Sequence, residues 1–411
     1  MPGLGRLGTL ICGLCLAAAV LLLARAQEPP RTPRLEITFD ETGLTPLERL
    51  GLRMFFDAAF SEPAGVSCAS CHEPARAFTG NNGSGLGVAR GSLPGALGFR
   101  DAPSLMYLAQ APAFGFVEKD GKRVPVGGLF WDGRANTLEE QAKQVLVNRL
   151  EMNNADARSL AAKLARAPYA GELRQLFGER VFDNPDAVLD AVGKALGAFQ
   201  RTRIFQPYSS KFDAVIRREA QFTEQEQRGL GLFKIRQKGN CAECHIVDED
   251  SRDPRASPLT DFRYHAVAVP RNARIPHNAN PSYRDQGLCG PHRSDPIAAD
   301  SRWCGFFKAP TLRNIALTAP YMHNGAFESL RDAVAFYATR DTNPERWYPG
   351  GRKFDDLAPD YHANVDIDTP PYNRQPGRRP QLTDEDIDDI VAFLHTLTDG
   401  YGVSKQSART P

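Results

Sequence analysis

Surplus charge is what this sequence lacks first: 50 Lys and Arg face 49 Asp and Glu, leaving +1 over 411 residues. Basic runs are missing as well, which excludes the electrostatic footprint of a nucleic-acid binder or of a protein held on an anionic membrane. Cysteine and histidine are scarce, with 8 of each. Methionine and tryptophan are scarcer, at 5 and 3, and no histidine falls between His72 and His245. These gaps limit which side chains can bind a metal, so any clustering of the rare residues is informative.

Four cysteines and two histidines fall in two pentads, Cys68-Ala69-Ser70-Cys71-His72 and Cys241-Ala242-Glu243-Cys244-His245. Each has the spacing for covalent attachment of a c-type haem. Two thioether-forming cysteines must reach both vinyl groups while the next residue places an imidazole under the ring as proximal ligand. The bland alternative is a redox or zinc Cys-x-x-Cys site that happens to precede a histidine, and it requires the same coincidence twice. Two covalently bound haem c groups are therefore expected.

Residues 1–26 read as a signal peptide: Arg6 is a weak positive start, Leu10 to Leu23 an apolar core, and Ala24-Arg25-Ala26 a small-x-small cleavage site. An uncleaved anchor helix is the competing reading. Neither Cys12 nor Cys15 follows the small residue that a lipid-attachment site needs. Export suits the pentads, and the expected location is the periplasm. Cys289 and Cys304 are then left over; in an oxidising compartment they form one disulfide pinning a loop, or stay as two free thiols.

The chain reads as a duplication. Thr45-Pro46-Leu47-Glu48 before Gly51-Leu52-Arg53-Met54-Phe55 matches Thr223-Glu224-Gln225-Glu226 before Gly229-Leu230-Gly231-Leu232-Phe233. Each is a capping box, with threonine as N-cap and glutamate at N3, and Pro46 takes the first helical position. Ala102-Pro103-Ser104-Leu105 echoes Ala309-Pro310-Thr311-Leu312, and Trp131-Asp132-Gly133 with Leu138 echoes His323-Asn324-Gly325 with Leu330. The expected fold is mainly α: two cytochrome c-like haem domains, roughly 35–215 and 216–400, with long loops over 246–308 and 340–380. Thr137 to Leu150 and Ser329 to Thr339 read as helices by apolar spacing. So does a last helix, free to pack back on the first domain, with Thr383 as cap, acidic residues 384–386 in its first turn and Ile387, Ile390, Val391 and Leu394 as its buried stripe.

The two irons are expected to be unequal. Without a histidine between the pentads, the first haem gains no second imidazole from its own domain. Met54, Met106 and Met152 remain as possible ligands there, Met54 reading more naturally as core. A five-coordinate or water-bound first iron could bind a small oxidant.

These residues resemble the bacterial dihaem cytochrome c peroxidases and their relative MauG, over nearly all of the chain after residue 26. The strings that carry the resemblance are Ser67 to His72, Phe130-Trp131-Asp132-Gly133-Arg134-Ala135, Leu138-Glu139-Glu140-Gln141-Ala142, Glu151-Met152, and Ala309 through Gly325. The resemblance implies that His72 is the proximal ligand of a peroxide-reacting haem and His245 that of an electron-transfer haem. It implies that Trp131 relays electrons between them, that Gln141 and Glu151 line the distal pocket, and that Glu151 shuttles protons. Fourteen residues beyond His323, where the peroxidases carry a methionine ligand, stands Tyr337, as in MauG. Its counterpart over the first haem is Val145, which cannot bind iron, while Met322 and His323 are rival ligands for the second. A calcium ion is also implied, held by Asp101 and the carbonyls of Thr318 and Pro320, with aspartate where asparagine is usual.

Departures matter too. The distal-loop histidine of the reductively activated peroxidases is absent, as in MauG. The surface tryptophan that MauG carries two residues before its second pentad is Gly239 here. The expected activity is an exported peroxidase that takes hydrogen peroxide at the first haem and electrons from a small cytochrome c or cupredoxin through the second. One rival is a MauG-like enzyme that oxidises side chains of a partner protein. The other is a dihaem electron carrier without catalysis.

Overall fold

The computed structural model describes residues 34–402, which cluster as one compact unit. The signal-peptide reading and Cys12 and Cys15 lie outside these residues. The helices are α1 (Pro46–Phe56), α2 (Cys68–Cys71), α3 (Leu138–Val147), α4 (Ala157–Leu164), α5 (Ala170–Phe177), α6 (Pro185–Gln200), α7 (Lys211–Ile216), α8 (Glu224–Lys234), α9 (Leu330–Thr339) and α10 (Asp384–His395). The fold is mainly helical, and long loops with short helical turns join these elements. No helix among the described residues is long and apolar enough to cross a membrane.

Both capping boxes form. Thr45 Oγ1 accepts from the Glu48 N–H while Glu48 accepts from the Thr45 N–H, and Thr223 and Glu226 repeat the exchange. Each satisfies two backbone donors that the first turn would leave orphaned. The two capped helices then pack alike. α1 lies on α6, with Leu50, Met54 and Phe55 buried against Val192, Ala195 and Phe199. α8 lies on α10, with Leu230 and Phe233 against Ile390 and Phe393. A glycine sits at the same place in each contact. A Cβ on Gly51 would stand 2.0 Å from the Ala195 carbonyl oxygen, and one on Gly229 would stand 1.9 Å from that of Asp389.

Buried apolar residues gather around these pairs. One cluster runs from Leu35 to Phe205 with Leu317 added, the other from Phe212 to Leu397. The body of α10 packs on α8 and α9, and the residues just beyond it reach the other cluster: Tyr107 donates to the Asp399 carboxylate at 2.8 Å. Arg313, fully buried and paired with Asp213 at 2.9 Å, adds a second tie by setting its guanidinium 4.8 Å from the Tyr107 ring centroid.

Two features depart from the sequence reading. Helix α3 stops at Val147 rather than Leu150, because the Asn148 side chain accepts the Leu150 N–H at 3.0 Å and turns the chain. A hairpin, β1 (Gly115–Lys119) with β2 (Lys122–Val126), closes through Asp120 and Gly121, both at positive φ. The two-residue strands β3 (Tyr264–His265) and β4 (Phe307–Lys308) pair antiparallel. Together they carry four side chains toward the centre of the molecule.

Candidate dihaem site

Each pentad forms a tight turn closed in the same way. The His72 N–H bonds the Cys68 carbonyl at 2.9 Å, and the His245 N–H bonds the Cys241 carbonyl at 2.9 Å. All four pentad cysteines are free of disulfides. Burial pushes the thiols of Cys68, Cys71 and Cys241 up to about 12, the Cys71 thiol also through the Glu151 charge. The imidazoles are set alike: His72 Nδ1 lies 2.9 Å from the Phe78 carbonyl oxygen, and His245 Nδ1 lies 2.9 Å from that of Leu259. A carbonyl only accepts, so Nδ1 carries the proton in both rings and Nε2 keeps its lone pair for a metal. Burial lowers both imidazoles, His72 to about 4, so they are neutral near pH 7.

A continuous cavity joins the second pentad to residues of the first half. Cys241, Cys244, His245 and Tyr337 line it with Gln141, Trp131, Asp101, Thr318, Pro320 and His323. The His323 Nε2 is buried without a protein hydrogen-bond partner, which suits a cavity built to hold a polar-edged group. Tyr337, on α9, rests against Tyr372 with ring centroids 5.9 Å apart. Burial holds the Tyr337 phenol above its ordinary range, and the neighbouring Cys244 and Cys241 add to that. These donors fit a haem: a neutral imidazole, two thiols one turn apart and a phenol on the same cavity.

His72, Cys68, Cys71 and Glu151 do not line this cavity; they form a second centre. The chain at Arg90–Ser92 bridges Glu151 to Cys71: Ser92 N–H bonds the Glu151 carbonyl at 2.9 Å, and the Cys71 thiol faces the Arg90 carbonyl at 3.9 Å. The Glu151 carboxylate accepts from Asn148 at 2.9 Å. Burial raises its pKa, opposed by the Arg134 charge and that hydrogen bond. Met54, Met106 and Met152 are all buried in the first apolar cluster. Val145 packs on the edge of the same cluster.

Trp131 donates from its indole N–H to the Asp101 carbonyl at 2.9 Å, and its ring meets His323 edge-on at 6.5 Å. Burial raises the Asp101 carboxyl well above its ordinary value, with Arg76 opposing. The carbonyls of Thr318 and Pro320 accept no hydrogen bond among the described residues. Cys289 and Cys304 are joined in a disulfide.

Sequence reasoning missed several groups at this centre. Strand β3 brings His265 Nδ1 to 3.7 Å from Cys244 Sγ and its Nε2 to 3.0 Å from Asp261. Burial disfavours that imidazolium, but Asp261 and Cys244 outweigh it and raise His265 to about 10. Strand β4 brings in Lys308, which donates to the Gly128 carbonyl at 2.6 Å and is pushed down to about 8 by burial. Arg100 joins Asp132 at 2.8 Å and chelates Asp285 at 2.6 and 2.8 Å, all buried. Only the four-residue spacing from Asp261 to His265 hinted at any of them. At Gly239 a Cβ would stand 2.8 Å from the Leu232 carbonyl oxygen and 3.3 Å from Cys241 Sγ. A side chain there would require the Leu232 backbone to shift.

Residues 46–221 match the family described as di-haem cytochrome c peroxidase. The methylamine utilization protein MauG of Paracoccus denitrificans is 38% identical over 86% of this chain and 88% of its own length. The cytochrome-c peroxidase IdrP2 of a Pseudomonas species is 30% identical over 70% of this chain and 72% of its own. Among solved structures, the diheme peroxidase BthA of Burkholderia thailandensis is 43% identical, with a TM-score of 0.82 over 90% of this chain and 91% of that one.

Proposed function

The chain belongs to the di-haem cytochrome c peroxidase family, and we propose that it reduces hydrogen peroxide at a haem held by Cys68, Cys71 and His72, with electrons arriving through a haem held by Cys241, Cys244 and His245. The observation that carries this reading is the inequality of the two centres. On α9, Tyr337 presents a phenol to the cavity of His245; on α3, the matching Val145 presents only methyl groups among apolar neighbours. Haem bound at these sites would supply iron able to change oxidation state, and position 145 of the first site, a valine, would offer it no donor atom.

The protein's own residues then divide the work. Glu151, raised by burial and anchored by Asn148, moves a proton between the two peroxide oxygens. Gln141, buried on α3 and reaching the cavity of the second pentad, orients the bound oxidant from that side. Trp131, fixed by its bond to Asp101, passes electrons between the centres. Tyr337, whose phenol lines the cavity of His245, would hold the second haem as an oxygen donor, and an anionic oxygen there would favour the higher oxidation states of iron. Asp101, with the open carbonyls of Thr318 and Pro320, holds a calcium ion: a buried carboxylate without a cation would be costly. The protein works in the periplasm, and its donor is a small cytochrome c or cupredoxin.

Tyr337 also favours a second reading, a MauG-like oxidation of partner side chains. Gly239 weighs against it, because the position that MauG fills with a surface tryptophan carries no side chain here, and one would press on the Leu232 carbonyl oxygen. Steady-state assays with peroxide and reduced cytochrome c separate the two. Rapid turnover is expected; a long-lived, two-electron-oxidised protein without turnover would favour partner oxidation instead. Two low-spin ferric signals in electron paramagnetic resonance, in place of one high-spin and one low-spin, would overturn both and leave an electron carrier.

A further inference from the structure

We propose that Tyr283 is a redox-active tyrosine, paired with His292 as its proton acceptor and joined to Trp131 by two runs of aromatic contacts that Arg100 bridges. The proposal rests on the peroxidase reading for its oxidant. It rests on the geometry of the loop after Asn280 for its site. The Tyr283 hydroxyl lies 2.9 Å from His292 Nε2. That hydrogen bond is what a phenol needs to lose an electron at neutral pH, because the proton must leave with it. Burial holds the Tyr283 phenol above its ordinary range, so it does not ionise unaided. Burial and the Arg100 charge also keep His292 neutral, lowering it to about 4, with Nε2 open as acceptor.

The route inward runs through ring contacts on either side of one covalent step, from Phe99 to Arg100. Tyr283 stacks on Phe99 at 5.4 Å, and Phe99 also meets His292 at 4.5 Å. The next residue, Arg100, sets its guanidinium 5.5 Å from the Phe307 ring centroid. Phe307 stacks on His323 at 3.7 Å with planes only 15° apart, and His323 meets Trp131 edge-on at 6.5 Å. Arg100 is held by Asp132 and Asp285, so this bridge is rigid. At the outer end, Tyr283 is half-buried and follows the exposed Pro281 and Ser282. The chain thus runs from the relay tryptophan to a partly exposed tyrosine.

The balance is simple. One electron passes from Tyr283 along the chain to the peroxide-oxidised dihaem centre, and the phenolic proton moves to His292 Nε2. This leaves a neutral tyrosyl radical beside an imidazolium. One electron from the reduced metalloprotein donor, with the proton returned by His292, restores the pair. Two such cycles supply the two electrons that peroxide takes, and two protons drawn from solvent through Glu151 complete its conversion to two waters.

The test uses the holoprotein mixed with hydrogen peroxide without donor, frozen and read by electron paramagnetic resonance, with haem absorbance followed in parallel. A tyrosyl signal is expected that decays on adding reduced cytochrome c. Tyr283→Phe should abolish it while haem oxidation by peroxide proceeds as before. His292→Gln, which keeps the loop polar, should also suppress it, and Phe99→Leu should slow its appearance. The same tyrosyl signal in Tyr283→Phe, or an undiminished one in His292→Gln, would overturn the proposal and leave the peroxidase reading standing. Absence of any haem response to peroxide would overturn both.

Discussion

At the scale of single residues, the proposed difference between the two centres rests on Tyr337, which lines the cavity of His245, and on Val145, which packs among apolar neighbours. Tyr337 is the only one of the three rival ligands of the second haem whose oxygen can bind as an anion; Met322 and His323 offer sulfur and nitrogen. Its phenol is buried and hard to ionise in the protein alone, so a ferric iron held in this cavity would have to drive the ionisation. Tyr337→Phe is therefore expected to change the low-spin ferric signal and leave the high-spin one as it was. An unchanged spectrum would rule Tyr337 out as ligand. Glu151 makes a second prediction. A shuttle that first accepts a proton must start ionised, and burial raises this carboxyl above its usual range. The rate of the peroxide reaction should thus fall as pH drops through that raised value. Glu151→Gln should slow the reaction by about 10²–10⁴-fold and remove the acid limb, with haem spectra at rest unaltered. Stopped-flow absorbance across pH measures both, and a retained acid limb would assign it elsewhere.

At the scale of elements, the two helix pairs make the clearest test of how local sequence sets packing. Gly51 and Gly229 let backbone meet backbone, since an added Cβ would stand 2.0 Å and 1.9 Å from carbonyl oxygens of α6 and α10. Alanine raises helix propensity by about 1 kcal/mol. Forcing apart two packed helices costs about 1–3 kcal/mol, so Gly51→Ala and Gly229→Ala should each lower stability in denaturant melts. Gly231, on the same helix as Gly229, has open space around its Cβ position. Gly231→Ala should stabilise by up to about 1 kcal/mol, and a loss there would show that the close contact is not the cause. The capped helices were legible because the Thr-x-x-Glu signature and the apolar spacing are both local. The β1–β2 hairpin carried an Asp-Gly turn signal, yet its strands are too charged to show alternation. The end of α3 was misplaced because apolar spacing continues past Val147, while the stop comes from one Asn148 side chain. His265 and Lys308 arrive on two-residue strands, too short for any period, and only the fold brings them to the cavity.

At the scale of the whole molecule, the pentads announced two centres, but how those centres communicate was written in long-range contacts. Asp101 belongs to the first half, Thr318 and Pro320 to the second, and all three line one cavity beside Trp131. A calcium ion there would fix the Asp101 backbone, whose carbonyl orients the Trp131 indole and whose N–H bonds the His323 carbonyl at 2.7 Å. It would also reverse the electrostatics of the site, since burial alone drives the Asp101 carboxyl toward its neutral form. An ion that binds only the folded chain stabilises it by mass action, by about 2.7 kcal/mol at a hundredfold excess over its dissociation constant. Chelation should therefore lower the melting temperature, and added calcium should restore it, whereas magnesium, which demands a tighter octahedral shell, should not. Electron exchange between the haems should slow in the chelated protein, because the tryptophan between them loses its fixed orientation. Asp101→Ala should melt at the same temperature with and without calcium. A calcium-dependent melt in that variant would place the ion elsewhere, and a chelator-insensitive melt in the native chain would remove it from the account of how the two halves are joined.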